Sequence, residues 1–354
     1  MKKFRRTMTG IACLMFLWPG AMSTGEAQDA SRRIDARTVP VPAGASKEIR
    51  DSITATPMLD VGSGATSLKS DADWEQFVSR SDSAAGQTLP ARAEQLGVSV
   101  DPFVVEGVSI FRVMPADVDP RHEDHRFLYI HGGAYVLGGG EAGLPEAVMI
   151  ASRAKIQVLA IDYRMPPTHP FPAAVDDVVT LYRHVLGNRP AKSIALGGTS
   201  AGGGLTLAAV QRLVDLGVEV PGALYAGTPW ADLTKTSDTL FTNETVDRVL
   251  VRYEGLLDGA AELYADGRDL RDPLISPVYG SFDGFPPTYL VTGTRDMLLS
   301  DTVRVHRNLR RAGAVADLNV YEGVSHAGYM IVANSPESQQ VYAELNAFLL
   351  RHLE

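Results

Sequence analysis

The chain has 354 residues, of which 45% are hydrophobic and 21% are charged, so its composition is that of a folded globular protein and excludes general disorder. Its formal net charge is -9, and no long run of lysine and arginine follows the first few residues. Binding to nucleic acid through phosphate neutralisation is therefore excluded as the main function.

The first 27 residues have the pattern of a secretory signal peptide. Four basic residues precede position 7, an apolar run covers residues 10–18, and a Gly25-Glu26-Ala27 site follows, where cleavage is expected. A transmembrane anchor would need about 20 apolar residues, and this run is much shorter. Cys13, the only cysteine, lies inside the run and is poorly placed for lipidation. The mature chain is therefore expected to be secreted or periplasmic and to lack a thiol nucleophile or cysteine ligand.

Residues 28–104 carry short helical patterns, for example at residues 72–77, separated by stretches rich in glycine, serine and proline. From about Val108, apolar runs typical of buried strands alternate with helical patterns. The predicted strands cover residues 127–130, 158–161, 194–196, 223–226 and 288–292, and the predicted helices cover residues 141–153, 173–186, 201–216, 300–312 and 335–350. This alternation predicts an α/β fold with a mostly parallel central sheet and helices on both faces.

A polar, acidic segment interrupts the alternation at about residues 234–272, with a helix-like stretch at residues 247–266. It is predicted to be an insertion rather than another strand-helix unit. Together with the N-terminal segment 28–104, it is expected to form a helical cap. The catalytic domain would then cover residues 105–354.

The strongest local signal is a strand that runs into Gly198-Thr199-Ser200-Ala201-Gly202 and then into an apolar helix. This is the context of a nucleophile elbow, in which the serine takes a strained backbone and glycines on either side avoid collisions. The backbone N–H of Ala201, at the start of the helix, is a candidate donor to an oxyanion. A phosphate-binding loop is the alternative, but the chain lacks the Gly-Lys-Ser/Thr sequence of such loops.

A further oxyanion donor site is predicted at His131-Gly132-Gly133, directly after a buried strand. Gly132 and Gly133 allow the backbone to direct its N–H groups toward a substrate. His131 is a candidate general base. The favoured interpretation is that it fixes this loop through local hydrogen bonds.

These motifs resemble those of the hormone-sensitive-lipase-like branch of the α/β-hydrolases, which has His-Gly-Gly upstream of a Gly-Asp-Ser-Ala-Gly-Gly or Gly-Thr-Ser-Ala-Gly-Gly elbow. The chain is similar to the threonine subgroup because Thr199 occupies the variable position, whereas Ala134 replaces the family's common third glycine. Similar segments continue at residues 162–164, 169–173, 229–233, 272–277 and 293–296, so the resemblance covers about residues 105–350. It implies an α/β-hydrolase fold and a carboxylesterase that needs no cofactor.

The resemblance also implies the chain order nucleophile, acid, base. Asp296 follows the predicted strand 288–292, and His326 lies in a later loop that also follows a strand. Both are expected at the sheet edge that carries Ser200. A histidine there would remove the serine proton, and a carboxylate would orient the histidine. We therefore predict a catalytic triad of Ser200, His326 and Asp296.

Other titratable residues are weaker candidates. Asp301, in the first turn of the next helix, is the second choice for the acid, because an acid is favoured there by the helix dipole alone. His306 lies among arginines, as is typical of a solvated helix face. His122 and His125 flank two acids but have no third ligand at a usable spacing, so no metal site is predicted.

The predicted activity is hydrolysis of short- to medium-chain carboxylic esters through an acyl-enzyme on Ser200. Tyr135 and Trp230 are predicted to bind the substrate, with packing beneath the cap as the alternative for Trp230. A lactone hydrolase with the same triad and acyl transfer to an alcohol remain open. A non-catalytic ligand-binding protein, as among the plant gibberellin receptors, would be expected to have lost a triad residue. The expected partner is a small-molecule ester, not nucleic acid or a membrane, and a homodimer is left open.

Overall fold

The structure is a computed structural model that describes residue 36, residues 38–55 and residues 68–354. The predicted signal peptide and its cleavage site lie outside the described residues. Residues 40–354 form one compact unit, and of the other unit, residues 1–39, the described residues 36, 38 and 39 are exposed coil. Within the described ranges, no helix is both long enough and apolar enough to cross a membrane.

An eight-stranded sheet forms the centre of residues 40–354. Its strands are β1 (Val98–Val105), β2 (Val108–Pro115), β3 (Arg126–Ile130), β4 (Val158–Asp162), β5 (Ile194–Thr199), β6 (Ala223–Gly227), β7 (Thr288–Gly293) and β8 (Ala316–Tyr321). They lie in the order β1-β2-β4-β3-β5-β6-β7-β8. Strand β2 is antiparallel to β1 and to β4, and all other neighbours are parallel. The predicted α/β fold with a mostly parallel sheet is confirmed.

Helices cover both faces of this sheet. The α-helices are α1 (Lys47–Ala55), α2 (Asp71–Gly86), α3 (Leu89–Leu96), α4 (Pro145–Ala154), α5 (Ala173–Leu186), α6 (Ala201–Asp215), α7 (Thr239–Thr242), α8 (Leu256–Ala265), α9 (Leu299–Arg311), α10 (Gly328–Ile331) and α11 (Pro336–His352). Short 3-10 helices cover Pro120–His122, Gly140–Gly143, Ala191–Ser193 and Pro277–Tyr279. Helices α5, α6 and α9 pack on one face, and α3, α4 and α11 pack on the other.

Strand β3 shows why the central strands were visible in the sequence. Phe127 and Tyr129 point into the core on one face, while Leu128 and Ile130 point into the core on the other. All four side chains are buried. A parallel strand with two covered faces therefore appears as a continuous apolar run.

The bounds of the edge strands were not predicted, because these strands lack such runs. Strand β1 is largely exposed and contains Pro102, which an edge strand tolerates since one side of its backbone has no partner. Strand β8, at the opposite edge, is only partly buried. Because β1 begins at Val98, the sheet starts inside the segment 28–104 that was assigned to the cap.

The cap contains a smaller part of that N-terminal segment than expected. Helix α2 contacts the 3-10 helix Gly140–Gly143 near the carboxyl ends of the parallel strands, the sheet edge that carries the predicted triad and is named here the catalytic edge. Helix α3 packs on α4 and β1. The ring of Trp74 in α2 lies so close to Gly259 in α8 that a Cβ on that glycine would be 2.9 Å from a ring carbon. Helices α2 and α8 therefore form the contact between the two cap segments. The predicted helix 247–266 begins only at Leu256.

The chain direction across the sheet reverses between β3 and β5. Strand β4 lies on one side of β3, and β5 lies on the other. Loops that leave the carboxyl ends of two such strands separate and leave a crevice, which is the usual binding position in open α/β sheets. The His-Gly-Gly loop follows β3 and the predicted nucleophile follows β5, so both lie at this crevice.

Candidate active site

Ser200 stands in a sharp turn between β5 and α6. Its backbone angles are φ 62° and ψ -123°, an unfavourable conformation for a residue with a side chain. A Cβ on Gly198 would be 1.9 Å from the carbonyl oxygen of Ile130, and one on Gly202 would be 2.0 Å from the same atom. Neither glycine can be replaced without moving β3. The turn therefore depends on these two glycines.

The structure brings the three predicted triad residues together. The Nε2 atom of His326 lies 2.9 Å from Oγ of Ser200, and its Nδ1 atom lies 3.1 Å from Oδ1 of Asp296. Because an ionised carboxylate only accepts hydrogen bonds, Nδ1 carries the proton and Nε2 is free to accept the proton of Ser200. His326 and Asp296 are buried, and Ser200 is partly exposed.

Two threonines that sequence reasoning missed hold Asp296 in place. Thr228, directly after β6, and Thr292, in β7, donate their hydroxyl protons to Oδ2 of Asp296, the latter at 2.8 Å. The backbone N–H of Leu298 donates to Oδ1 at 2.8 Å. Both threonines lie at the carboxyl ends of parallel strands, and that position was the signal that could have identified them.

Opposing effects set the pKa of His326. Burial disfavours the imidazolium and lowers the pKa, whereas the charge of Asp296 and its hydrogen bond raise it, and the charge of Asp247 acts in the same direction. The net result is a pKa above the ordinary histidine value. Such a histidine is neutral, and able to accept a proton, only above that raised pKa.

The predicted oxyanion donors lie beside the serine. A Cβ on Gly132 would be 3.2 Å from Cβ of Ser200, and Gly133 has a φ of 120° that favours glycine. Within the described part of the chain, the backbone N–H groups of Gly132, Gly133 and Ala201 donate to no protein acceptor. Free donors near a nucleophile can stabilise the negative oxygen of a tetrahedral intermediate.

His131 is held behind this loop. Its Nδ1 atom donates to the carbonyl oxygen of Gly132 at 2.8 Å, and its ring stacks on Tyr163 with the centroids 4.1 Å apart. A Cβ on Gly138 would be 2.6 Å from the same Nδ1 atom. This packing fits a role in fixing the loop, and His326 is the histidine that contacts Ser200.

A buried carboxylate links the predicted insertion to the triad. Oδ2 of Asp247 accepts the backbone N–H of His326 at 3.3 Å and that of Met297 at 2.9 Å, and Oδ1 accepts the N–H of Val249 at 2.8 Å. Burial and the charge of nearby Asp296 raise the pKa of Asp247 to about 6. Asp247 thus joins the acid loop, the histidine loop and the insertion. Its local sequence contains no motif that identifies it.

A cavity of about 390 Å³ opens over Ser200 and His326. Its walls combine the cap and the catalytic edge, and the apolar side chains that line them include Ala85, Leu137, Leu250, Leu256, Leu257 and Met330. A partly open apolar cavity beside a nucleophile suits a small apolar group of a substrate.

Tyr135 and Trp230 do not line this cavity, although both were predicted to bind substrate. Both are 1% exposed, and the hydroxyl of Tyr135 donates to the carbonyl oxygen of Trp230 at 2.8 Å. A Cβ on Gly204 in α6 would be 2.2 Å from that hydroxyl. The two aromatic residues therefore pack against the helix that follows Ser200, which is close to the alternative considered for Trp230.

The weaker candidates lie elsewhere. The carboxylate of Asp301 accepts the backbone N–H groups of Ala231 and Asp232 at 3.0 and 2.9 Å, so it holds the loop after β6. The Nδ1 atoms of His122 and His125 lie 2.9 Å apart. Across the described ranges, no group of three or more histidine, cysteine or acidic residues could hold a metal ion. His306, on α9, is partly exposed.

Comparison with known proteins agrees with this geometry. A family profile described as alpha/beta hydrolase fold matches residues 127–330. An acetyl-hydrolase of Streptomyces hygroscopicus is 34% identical over 234 residues, which are 66% of this chain and 78% of that protein. The crystal structure of esterase E25 is similar with 50% identity and a TM-score of 0.89, over 92% of this chain and 99% of that chain. The crystal structure of an esterase from the bacterial hormone-sensitive lipase family is similar with 30% identity and a TM-score of 0.68, over 81% of this chain and 100% of that chain.

The chain therefore belongs to the α/β hydrolase fold family, in the branch of bacterial esterases similar to hormone-sensitive lipase. The resemblance stated from its motifs is confirmed at the level of the family.

Proposed function

We propose that this protein is a serine carboxylester hydrolase that cleaves short- to medium-chain esters through an acyl-enzyme on Ser200. The observation that carries the proposal is the unbroken hydrogen-bond chain from Ser200 through His326 to Asp296. The names of the similar proteins, an acetyl-hydrolase and two esterases, support the same class of reaction.

The geometry suits a two-step reaction. Oγ of Ser200 attacks the ester carbonyl carbon while Nε2 of His326 takes the hydroxyl proton, and the N–H groups of Gly132, Gly133 and Ala201 bind the oxyanion that forms. His326 then gives its proton to the leaving alcohol oxygen as the ester C–O bond breaks. Asp296 keeps Nδ1 protonated throughout. The same histidine then deprotonates a water molecule, which attacks the acyl-enzyme. As the bond between the acyl carbon and Oγ of Ser200 breaks, His326 returns the proton to Oγ and the acid is released.

The size of the cavity supports the choice of substrate. Its volume of about 390 Å³ is near the lower end of the range of roughly 300–1,000 Å³ that is common for small-molecule sites. Its apolar lining favours an alkyl group over a charged one. We therefore expect rates to be highest for short and medium acyl chains and to fall toward palmitate.

The test is a series of p-nitrophenyl esters from acetate to palmitate, with the chain that starts at Gln28, its Ser200→Ala variant and a Ser81→Ala control. Ser81 lines the same cavity and has no part in the proposed chemistry. Loss of a serine nucleophile lowers kcat on the order of 10⁶-fold in related chemistry. We expect that loss for Ser200→Ala and nearly unchanged rates for Ser81→Ala.

Other outcomes distinguish the alternatives. Cleavage of lactones without cleavage of open-chain esters would indicate a lactone hydrolase, and a transester product on addition of an alcohol would indicate an acyltransferase. If Ser200→Ala retained the rate of the wild-type protein on every ester, the proposed nucleophile would be wrong.

We also propose that the protein is exported, with cleavage after Ala27, and meets its ester substrate in the periplasm or the medium. The basic start and the apolar run of residues 10–18 support this, although both lie outside the described residues. Mass spectrometry of the exported protein should give a chain that begins at Gln28. Retention of the full-length chain in the cell would contradict the proposal, and light scattering of the exported chain would decide between monomer and homodimer.

A further inference from the structure

A buried group of hydroxyls and one carboxylate lies behind the nucleophile, on the sheet face covered by α4 and α11. Its members, named here the Glu146 cluster, are Tyr129, Glu146, Thr199, Tyr225, Tyr329 and Tyr342. Glu146 is 0% exposed. An ionised carboxylate in such a place is strongly destabilising unless its oxygens accept hydrogen bonds.

Four hydroxyls supply these hydrogen bonds. Thr199 and Tyr225 donate to Oε1 of Glu146 at 2.9 and 2.8 Å, and Tyr342 donates to the same oxygen at 3.2 Å. Tyr129 donates to Oε2 at 3.0 Å. Burial raises the pKa of Glu146, and the hydroxyl donors act in the opposite direction.

The hydroxyl protons of Thr199 and Tyr225 determine how Tyr329 is held. Because Thr199 and Tyr225 each donate their one hydroxyl proton to Glu146, their oxygens can only accept hydrogen bonds from other groups. The hydroxyl of Tyr329 lies 2.9 Å from both oxygens and donates its proton to one of them. Tyr329 is therefore held by hydroxyls that Glu146 orients.

The cluster touches three of the four chain segments that carry the proposed chemistry. Thr199 directly precedes Ser200, Tyr329 follows His326 by three residues, and Tyr129 lies two residues before His131 in the strand that leads to the oxyanion loop. Glu146, at the start of α4, is bonded directly to the first and third of these segments and through Thr199 and Tyr225 to the second. Movement of the carboxylate would disturb the distance between nucleophile and base.

We propose that Glu146 is a positioning residue, which acts through the hydroxyl of Thr199 to fix the nucleophile elbow against the histidine loop. This inference rests on the proposed esterase function. A buried ion pair or carboxylate is weak grounds for stability, since apolar packing of the same volume often serves as well. Its value here is geometric, because a shift of about 1 Å at a reacting group lowers a rate about 100-fold.

The first test replaces the hydroxyl of Thr199. Thr199→Val keeps the shape and removes the hydroxyl, and we expect kcat on p-nitrophenyl butyrate to fall about 10- to 100-fold with KM changed less than about twofold. Thr199→Ser restores the hydroxyl and should recover most of kcat. Thr288→Val is the matched control, since Thr288 is likewise buried and its hydroxyl donates only to the carbonyl oxygen of Pro286.

The second test concerns the carboxylate of the cluster, Glu146. Thr199→Asp places a second carboxylate beside Glu146 in the interior, where two like charges cannot both be ionised. We expect this variant to lose activity and melt at lower temperature. Glu146→Gln in the same chain leaves one carboxylate, so the double variant should regain stability and a measurable part of kcat.

A fluorophosphonate probe, which labels an activated serine without ester turnover, separates this inference from the proposed function. If the wild-type chain is labelled at Ser200 but cleaves no ester, the proposed function fails while the labelling rates of the Thr199 variants still test Glu146. The positioning role is wrong if Thr199→Val is labelled and turns over at the wild-type rate. It is also wrong if Thr199→Ser is as slow as Thr199→Val at an unchanged melting temperature.

Discussion

The catalytic edge of the sheet is packed much more tightly than the cap that lies over it. At the edge, Gly198 and Gly202 press against the carbonyl oxygen of Ile130, with room for no Cβ. In the cap, by contrast, Trp74 is the one buried residue among the 16 residues of helix α2. Backbone atoms locked against each other do not shift without unfolding a strand, whereas a helix held by few side chains opens at a small cost in free energy.

Asp82 and Trp74 make two of the contacts that fasten α2 to the remainder of the site. Oδ1 and Oδ2 of Asp82 accept the backbone N–H groups of Gly138 and Gly139, each at 2.9 Å, and Trp74 packs on Gly259 of α8. Gly138 and Gly139 lie five and six residues after Gly133 of the oxyanion loop. The comparison teaches that changes at the edge should reduce kcat, and that changes in the cap should mainly affect KM and the choice of substrate.

The largest effect is expected from Asp296→Asn at the edge. The amide keeps the shape of the carboxylate but loses its charge and no longer selects the protonated Nδ1 of His326. We expect kcat on p-nitrophenyl butyrate to fall about 10⁴-fold. Asp301→Asn is the control, since Asp301 is equally buried but holds the loop after β6. If the Asp301 variant loses as much kcat as the Asp296 variant, the acid has been wrongly assigned.

These edge residues are also those that the sequence made visible. A nucleophile elbow needs glycines at fixed positions around Ser200, and the carboxyl ends of parallel strands meet at one edge, so Ser200, Asp296 and His326 could be placed without a structure. The covered strands were equally visible, because burial on two faces forces a continuous apolar run.

The partners of these residues were not visible, because their roles arise from contacts distant in the sequence. Asp82 meets Gly138 across 56 residues, and Glu146 meets Tyr342 across 196. In the sequence, an acid on a helix such as Asp82 is indistinguishable from a solvated one. Tyr135 and Trp230 show the converse error, since large aromatic residues next to motifs can be packed beneath the site as readily as they line it.

The next effect in size is expected from Asp82→Ala, which breaks the link between the cap and the oxyanion loop. A hydrogen bond to a charged group contributes about 1.5–3 kcal/mol when buried, and Asp82 is only half-buried, so a loss of about tenfold in kcat/KM is expected. Asp82→Asn keeps one acceptor oxygen, so its kcat/KM should lie between those of the wild-type protein and Asp82→Ala. Ser83→Ala, at the exposed neighbouring position of α2, is the control. Equal kcat/KM values for the Asp82 and Ser83 variants would show that this link has no role.

A smaller effect is expected from Gly259→Ala at the contact between α2 and α8. Alanine stabilises a helix by about 1 kcal/mol over glycine. The new Cβ would lie 2.9 Å from the ring of Trp74, however, and overpacking costs about 1–3 kcal/mol. We expect KM to rise severalfold at constant kcat, with faster hydrogen exchange in α2. In a Trp74→Phe background the clash is relieved, so the same substitution should become neutral. An equal rise of KM in both backgrounds would exclude this contact as the cause.

The smallest expected effect is a shift of the pH profile by Asp247→Asn, which removes a charge from the insertion and keeps one of the two acceptor oxygens. The charges of Asp296 and Asp247 raise the pKa of His326, and only the neutral imidazole can take the proton of Ser200. Activity is therefore lost as the pH falls through that raised pKa. Without the Asp247 charge the pKa of His326 is lower, so the acid limb of kcat/KM should move to lower pH while kcat at the optimum changes less than about threefold. Asp238→Asn, at an exposed position of the same insertion, should leave the limb in place. If the acid limb of kcat/KM stays fixed or moves to higher pH in the Asp247 variant, the charge of Asp247 does not raise the pKa of His326. The insertion would then shape the cavity without acting on the histidine.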